Sequence, residues 1–164
     1  MLRLAQDEIE SAVAGIRCAL TETQGMLERL GLLSACVTIM LAAGDVDAAR
    51  AAVDEMGLIG EVYDTAAVTT EVAAARGAVA LAEGDAATAL PLLRSSARWW
   101  GEIEAPYAVA TLSVLIALAC RSVGDEEAAQ LELDSARSIF TRRSMICAGS
   151  RIYCKRLGQL APTA

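Results

Sequence analysis

Gly-Asp pairs recur in this chain at a fixed interval of 40 residues, at Gly44-Asp45, Gly84-Asp85 and Gly124-Asp125. An apolar, Ala-rich run precedes each pair, and a second apolar run follows it, with Ala at the fifth position after the Gly. A fixed period of about 20–50 residues is typical of proteins built from stacked repeats. The interval therefore predicts an array of repeated units, each centred on one Gly-Asp pair.

The chemistry of the pair explains why the two residues recur together. Gly adopts the left-handed conformation that ends a helix, and Asp then caps the next helix by accepting hydrogen bonds from its free N–H groups. We therefore interpret Asp45, Asp85 and Asp125 as structural rather than catalytic. Each pair joins a first helix to a second one.

The second helix of each unit carries an apolar stripe at offsets +5, +9, +12 and +16 from the Gly. In the third unit this stripe reads Ala129, Leu133, Ala136 and Phe140. Spacings of four, three and four keep such positions on one helix face. Trp100 aligns with Phe140, and Trp99 aligns with Ile59 and Ile139, so we expect the two Trp residues to form core between repeats rather than a ligand-stacking site.

The whole chain is expected to be an all-α, right-handed superhelical array of antiparallel helix pairs, forming one domain over residues 1–164. The first helix reads as the second half of a unit whose first half is missing, and the last as a lone closing helix. Pro91 falls inside a helix and predicts a bend there. The eight predicted helices span residues 7–22, 27–43, 46–59, 64–83, 86–100, 106–123, 126–141 and 145–159.

Composition supports helices and a soluble chain. Apolar residues make up 55% of the sequence and aromatic residues only 4%, so Ala, Leu and Val dominate, and Ala favours helix most strongly. There is no uncharged apolar run of about 18 residues and no signal peptide. We expect a soluble, cytoplasmic protein with no membrane contact.

Charge is distributed unevenly along the chain. The formal net charge is −7, yet every one of the 21 acidic residues precedes position 135, and the last 30 residues hold only basic charges. This basic end predicts either a surface for nucleic acid or an acidic partner, or packing onto the acidic repeats before it. The basic residues considered for nucleic-acid contact are Arg142, Arg143, Arg151, Lys155 and Arg156.

The residue types needed for common catalytic and metal sites are missing. The chain has no His, so it lacks an imidazole base and a Ser-His or Cys-His pair. It has no GxG motif, and its five Cys show neither disulfide nor metal-ligand spacing. We therefore predict no catalytic residue, no metal site and no cofactor.

Residues that depart from the repeat pattern are the candidates for partner binding. Arg76 stands where the other units have Cys36 and Ile116, and Arg121 stands where they have Leu41 and Leu81. An Arg on the first helix of a unit can bind a carboxylate or an acidic peptide. Alternatively, its stem packs while its head pairs with a Glu such as Glu71 or Glu83. The same reasoning adds Arg29 and Tyr107 as candidates.

Three segments carry a resemblance to a known family. They read LAAGDVDAARAAVDEM (41–56), ARGAVALAEGDAATALPLL (75–93) and APYAVATLSVLIALACRSVGDEEAAQLELDSARSIFTR (105–142). These words resemble the C-terminal tetratricopeptide-like segment of large LuxR-type, MalT-like transcriptional regulators, over roughly residues 7–160. In that family an ATP-binding domain precedes the repeats and a DNA-binding domain follows them, and neither is found here.

The resemblance implies a non-catalytic sensor or interaction segment of a transcriptional regulator. Such a segment would bind a protein, a peptide or a small effector. Two alternatives remain open from the sequence. The chain could be a structural protein that forms a homodimer through its uncovered terminal helices, or its basic C-terminal end could contact nucleic acid.

Overall fold

The computed structural model describes the backbone of residues 2–143 and the side chains of residues 8–141. This part of the chain is all-α, with seven helices joined by short turns and no strand. The predicted closing helix at 145–159 lies outside the described residues, as do the side chains of the basic C-terminal residues. The helices are α1 Leu2–Glu22, α2 Met26–Ala43, α3 Val46–Tyr63, α4 Ala66–Ala82, α5 Ala86–Glu102, α6 Pro106–Ser122 and α7 Glu126–Arg143.

Contacts between residues divide the chain into two compact units. Unit 1 is Met1–Glu83 and contains α1 to α4, and unit 2 is Gly84–Ala164 and contains α5 to α7. The division falls at the second Gly-Asp pair. Each unit has its own helix packing, in which helices adjacent in sequence lie side by side.

The Gly-Asp turns have the geometry that the sequence predicts. Gly44, Gly84 and Gly124 have φ values of 81°, 86° and 83°, in the left-handed region. Each following Asp accepts a hydrogen bond of 3.0 Å through Oδ1 from the N–H three residues later, on Ala48, Thr88 or Ala128. The prediction that the three Asp residues are helix caps is confirmed.

In unit 1, α2 is the central helix and packs against α1, α3 and α4. Its buried side chains include Leu33 and Met40, and on α3 they meet a stripe that includes Val53 and Met56. Among the described helices, α2 is long and apolar enough to span a membrane by length and composition. One such helix is weak evidence for a membrane segment, because core helices and signal sequences pass the same test, and 28% of α2 is buried inside the protein.

The apolar face of the first helix, α1, is more buried than the sequence suggests. Ile16 is buried, and Val13 and Leu20 pack against the core of unit 1. The other faces of its described part carry exposed polar residues such as Glu10 and Arg17. Because the apolar stripe of α1 is only one face wide, packing on α2 covers it, and α1 forms a polar outer cap for this unit.

In unit 2, α6 lies between α5 and α7 and is buried along most of its length. The predicted stripe on α7 is buried, with Ala129, Leu133, Ala136 and Phe140 at most 6% exposed. On α5 the corresponding Ala89, Leu93 and Ser96 are also buried. Trp99 and Trp100 are only half-buried, so the prediction that they form core is only partly right.

Pro91 does not end α5, which continues from Ala86 to Glu102 with the proline in its second turn. Pro91 lacks the N–H that would bond to the carbonyl of Ala87 in a regular helix. Both residues are exposed, so water can serve that carbonyl. Hydration of this carbonyl therefore lowers the free-energy cost of placing a proline inside the helix.

Candidate functional site: the aromatic end of unit 2

The described residues contain no group of three His, Cys, Asp or Glu side chains that could hold a metal ion. Two of their cysteines, Cys18 and Cys36, are not activated thiols either. Burial raises the pKa of the Cys36 thiol, and a hydrogen bond to Glu22 raises the pKa of the exposed Cys18. Since both shifts disfavour the reactive thiolate, neither side chain has the properties of a nucleophile.

Arg29, one of the four predicted partner-binding residues, is engaged within unit 1. Its Nε donates to Oε1 of Glu55 on α3 at 2.7 Å, and its Nη1 donates to the carbonyls of Leu20 and Thr23 at the end of α1. The guanidinium thus joins three helices. This network explains why an arginine occupies the start of α2 and leaves few donors for a partner.

Arg121 is likewise engaged, in unit 2. Its Nε lies 3.0 and 3.1 Å from the two carboxylate oxygens of Glu126, and its Nη2 donates to Oε1 at 2.7 Å. The pair connects the last turn of α6 to the first turn of α7. The predicted alternative, an ion pair with a nearby Glu, describes this arrangement, but the partner is not Glu71 or Glu83.

Arg76 is the exposed arginine of the set. Glu83 pairs with Arg50 and Glu71 accepts from Ser34, so neither predicted partner binds Arg76. Within the described residues Arg76 makes no hydrogen bond or ion pair. Its Nη2 lies over Gly57 of α3, where an added Cβ would be 3.0 Å away. One arginine alone does not define a binding site.

Tyr107 lies in the first turn of α6 and is 40% exposed. Its ring packs edge-to-face on Phe140, with ring centroids 5.8 Å apart and an interplanar angle of 76°. This contact brings the start of α6 next to the end of α7. Of the four predicted residues, Tyr107 is the one that lies among other aromatic side chains.

We name this region the aromatic end. It comprises the half-buried Trp99 and Trp100, the exposed Ile103 and Tyr107, and the buried Phe140 that contacts Tyr107. Trp99 and Trp100 contact each other edge-to-face, with centroids 4.9 Å apart. Ile103 follows one helical turn later and is 51% exposed. The chain then turns into α6, with the Ala105 N–H donating to the Trp100 carbonyl at 2.9 Å. The end of α5, the start of α6 and the end of α7 therefore meet here.

Glu104 occupies an unusual backbone position within this surface. Its φ is 57°, and it is the one non-glycine residue with positive φ in the described chain. Its N–H donates to the Gly101 carbonyl, and the next N–H donates to the carbonyl five residues back. The same pair of bonds closes the turns at Gly44 and Gly124. Glu104 thus stands where equivalent turns have glycine.

A side chain in this conformation is less stable than glycine by about 1–2 kcal/mol. The strain is local, and it is borne by an exposed carboxylate residue directly after Ile103 and three positions before Tyr107. Glu102, which ends α5, is exposed as well. The aromatic end therefore combines accessible apolar side chains with two acidic ones, and Arg98 is the exposed cation one turn before Glu102.

Unit 1 contains a different surface feature, an open groove of about 660 Å³. Ile9, Val13 and Arg17 of α1 line one side, and Ala42 and Asp45 line the other. The charged pair within it, Arg17 and Asp45, is bonded internally at 3.7 Å, and Asp45 already caps α3. Glu10 adds one exposed carboxylate to this lining, and a single carboxylate does not define a binding site.

Sequence reasoning found Tyr107 but missed Ile103 and Glu104. The connection between α5 and α6 contains no Gly, so nothing in the residue types indicates a left-handed turn there. Three comparisons with known proteins add no further indication, because no family model, no curated protein and no solved structure matches the chain.

Proposed function

We propose that this chain is a non-catalytic helical interaction module that binds a protein or peptide partner through the aromatic end of unit 2. The sequence predicts a non-catalytic interaction module, and the proposal adds the surface through which this module binds its partner. The resemblance to LuxR-type regulators makes a transcriptional regulator the first parent protein to test. No catalytic role is proposed for any described residue.

The observation that carries the proposal is the concentration of aromatic residues at one end of one unit. The chain has only six aromatic residues, and Trp99, Trp100, Tyr107 and Phe140 are four of them. Trp and Tyr are enriched at protein interfaces and among the residues that contribute most binding energy. Trp99 and Trp100 are half-buried and Tyr107 is exposed, while the buried Phe140 supports the Tyr107 ring from below.

Glu104 gives a second, independent argument. Stability alone favours glycine at this position, as the three Gly-Asp turns illustrate. Strained backbone positions cluster at functional sites, where the strain is part of the function. An interaction that uses the Glu104 carboxylate accounts for a side chain being present there.

The chemistry of the surface defines the partner. Ile103 and Tyr107 offer apolar contact area, while Glu102 and Glu104 offer two carboxylates at its edge. Apolar groups of the partner would pack on the aromatic side chains, and its Arg or Lys residues would pair with the carboxylates. The fitting partner is therefore a peptide segment with apolar residues flanked by basic ones.

Selection from a displayed peptide library against the immobilised full chain tests this proposal. We expect enriched peptides to be apolar and basic, and to lose at least tenfold in affinity on the Tyr107→Ser/Ile103→Ser variant, since truncating central interface residues costs more than about 1–2 kcal/mol. The matched control is Leu131→Ser, which alters a 68% exposed leucine of α7 in the same unit. Equal binding to all three proteins would contradict the proposal.

A further inference from the structure

The two tryptophans of the aromatic end keep ring surface available for a ligand. Trp99 and Trp100 are half-buried, and their ring planes stand at 80° with centroids 4.9 Å apart. In this edge-to-face arrangement each indole keeps at least one face that the other ring does not cover. No cation from the described residues stacks on either indole. Of the aromatic side chains, the indole of Trp attracts a cation to its face most strongly.

A carboxylate lies close to this ring surface. Glu102 stands three positions after Trp99, and residues three apart are neighbours on the surface of a helix. Glu102 is exposed, and within the part of the chain that the structure describes it forms no hydrogen bond or ion pair. Arg98 precedes it by four positions, but a basic residue before an acidic one is the weaker order for such a pair. Glu102 is therefore available to a cation of a partner.

An indole face beside a carboxylate suits arginine better than lysine. The guanidinium of arginine is planar and weakly hydrated, so it can lie flat on an aromatic ring while the N–H groups at its edge donate to a carboxylate. The ammonium of lysine is a compact and strongly hydrated charge, which makes its transfer onto an apolar ring more costly. The two cations are therefore not interchangeable at a site of this composition.

We infer that the aromatic end of unit 2 selects arginine over lysine, with the guanidinium stacked on Trp99 and donating to the carboxylate of Glu102. This inference rests on the proposed function, because it names the residue that the partner peptide brings to that surface. An apolar neighbour of this arginine contacts Ile103, which is four positions after Trp99. The charge of the unit favours the approach of a cation, since its described side chains include eight acidic and four basic residues.

Heteronuclear NMR of the isotope-labelled full-length protein gives a direct readout, because Trp99 and Trp100 are its only Trp residues and supply its only indole N–H signals. The probes are N-acetyl-arginine amide, N-acetyl-lysine amide and N-acetyl-citrulline amide at constant ionic strength. Citrulline keeps the planar shape of arginine without its charge. We expect the arginine probe to shift the Trp99 signal with an association constant at least about fivefold above those of the other two.

A charge-neutral variant tests the role of the carboxylate. Glu102→Gln should weaken binding of the arginine probe by at least about threefold, since it removes the ion pair. The matched control is Glu127→Gln, which neutralises an exposed residue in the first turn of α7 in the same unit and should bind the probe as the unmodified protein does. Trp99→Phe assigns the two indole signals, and circular dichroism checks that every variant keeps its helix content.

Three results would overturn the inference. They are equal association constants for the arginine and lysine probes, no shift of the Trp99 signal with arginine, and equal effects of Glu102→Gln and Glu127→Gln. The first of these would show a surface that attracts any cation, and the third would show that Glu102 has no special part in binding.

Peptides selected in the partner experiment distinguish this inference from the proposed function. Their arginines are replaced by lysine, and affinity for the full-length protein is measured again. If the lysine peptides bind as tightly, the arginine preference is refuted while partner binding stands. If the arginine probe shifts the Trp99 signal with the expected preference but no peptide is selected, the arginine site stands and the peptide partner is refuted.

Discussion

Replacing two glycines of α2 by alanine should change stability in opposite directions, although the space around them is the same. Gly31 lies in the exposed middle of the helix, and Gly44 ends it with φ 81°. A Cβ added to either residue meets nothing within 4 Å. Any difference between the two substitutions therefore comes from backbone conformation rather than from packing.

The expected magnitudes follow from the two conformations. Gly31→Ala should stabilise the protein by about 0.5–1 kcal/mol, because alanine favours the helix and loses less entropy on folding. Gly44→Ala gains a similar entropic benefit of about 0.4–1 kcal/mol. It also forces a Cβ into the left-handed region at a cost of about 1–2 kcal/mol. The net result is a destabilisation of about 1 kcal/mol.

Urea unfolding followed by circular dichroism at 222 nm measures both changes. With a slope of about 2 kcal/mol per molar urea, each variant should shift the midpoint by about 0.5 M or less, in opposite directions. The double variant should lie near the unmodified protein, because the sites are 13 residues or about 20 Å apart on one helix and should be additive. A neutral or stabilising Gly44→Ala would refute the argument that the repeated glycines are required by their conformation.

Three further outcomes follow from the described contacts. Glu104→Gly should raise the free energy of unfolding by about 0.5–1 kcal/mol by removing the left-handed strain, whereas Glu104→Ala, measured in the same urea titration, should give no such gain. Arg29→Met should lower it by about 2 kcal/mol, because the charged hydrogen bonds to Glu55 and to the end of α1 are lost, and a loss below 0.5 kcal/mol would show that the network contributes little. A hydrogen bond with Thr88 lowers the pKa of Asp85 below its usual 3.8, so the stability from this cap is present above that pH and is lost as pH falls through the lower, folded-state pKa. Lowering the pH from about 5 to 2 should therefore reduce the melting temperature of the unmodified protein more than that of Asp85→Asn, which keeps a neutral cap at every pH. Thermal unfolding at a series of pH values measures this difference, and parallel curves would contradict the assignment.

Local chemistry made much of the fold predictable. Gly and Asp act on the backbone of their own turn. The C-terminal end of α2 and the start of α3 therefore follow from Gly44-Asp45 without knowledge of the rest of the chain. The stripe on α7 was predictable for the same reason, because the helical period places its four residues on one face wherever the helix packs. The limits of these helices accordingly agree with the sequence to within a few residues.

The candidate site was only partly predictable. Tyr107 was identified as a departure from the repeat pattern, but Trp99 and Trp100 were expected in the core because their positions are apolar in the other units. Position in a repeat gives the face of a helix, yet the exposed fraction also depends on how far the neighbouring helices extend. The connection at Ile103 and Glu104 has no residue type that predicts its left-handed turn.

The sequence by itself determined that this chain is helical, where its Gly-Asp turns fall and which face of α7 is apolar, since each of these depends on interactions within a few residues. Only the tertiary structure decided which arginines are engaged and which aromatic residues are accessible. Arg29 pairs with Glu55, which is 26 positions away, and Tyr107 meets Phe140, which is 33 positions away. Such contacts depend on how helices pack, and the spacing of residues along the chain does not specify them.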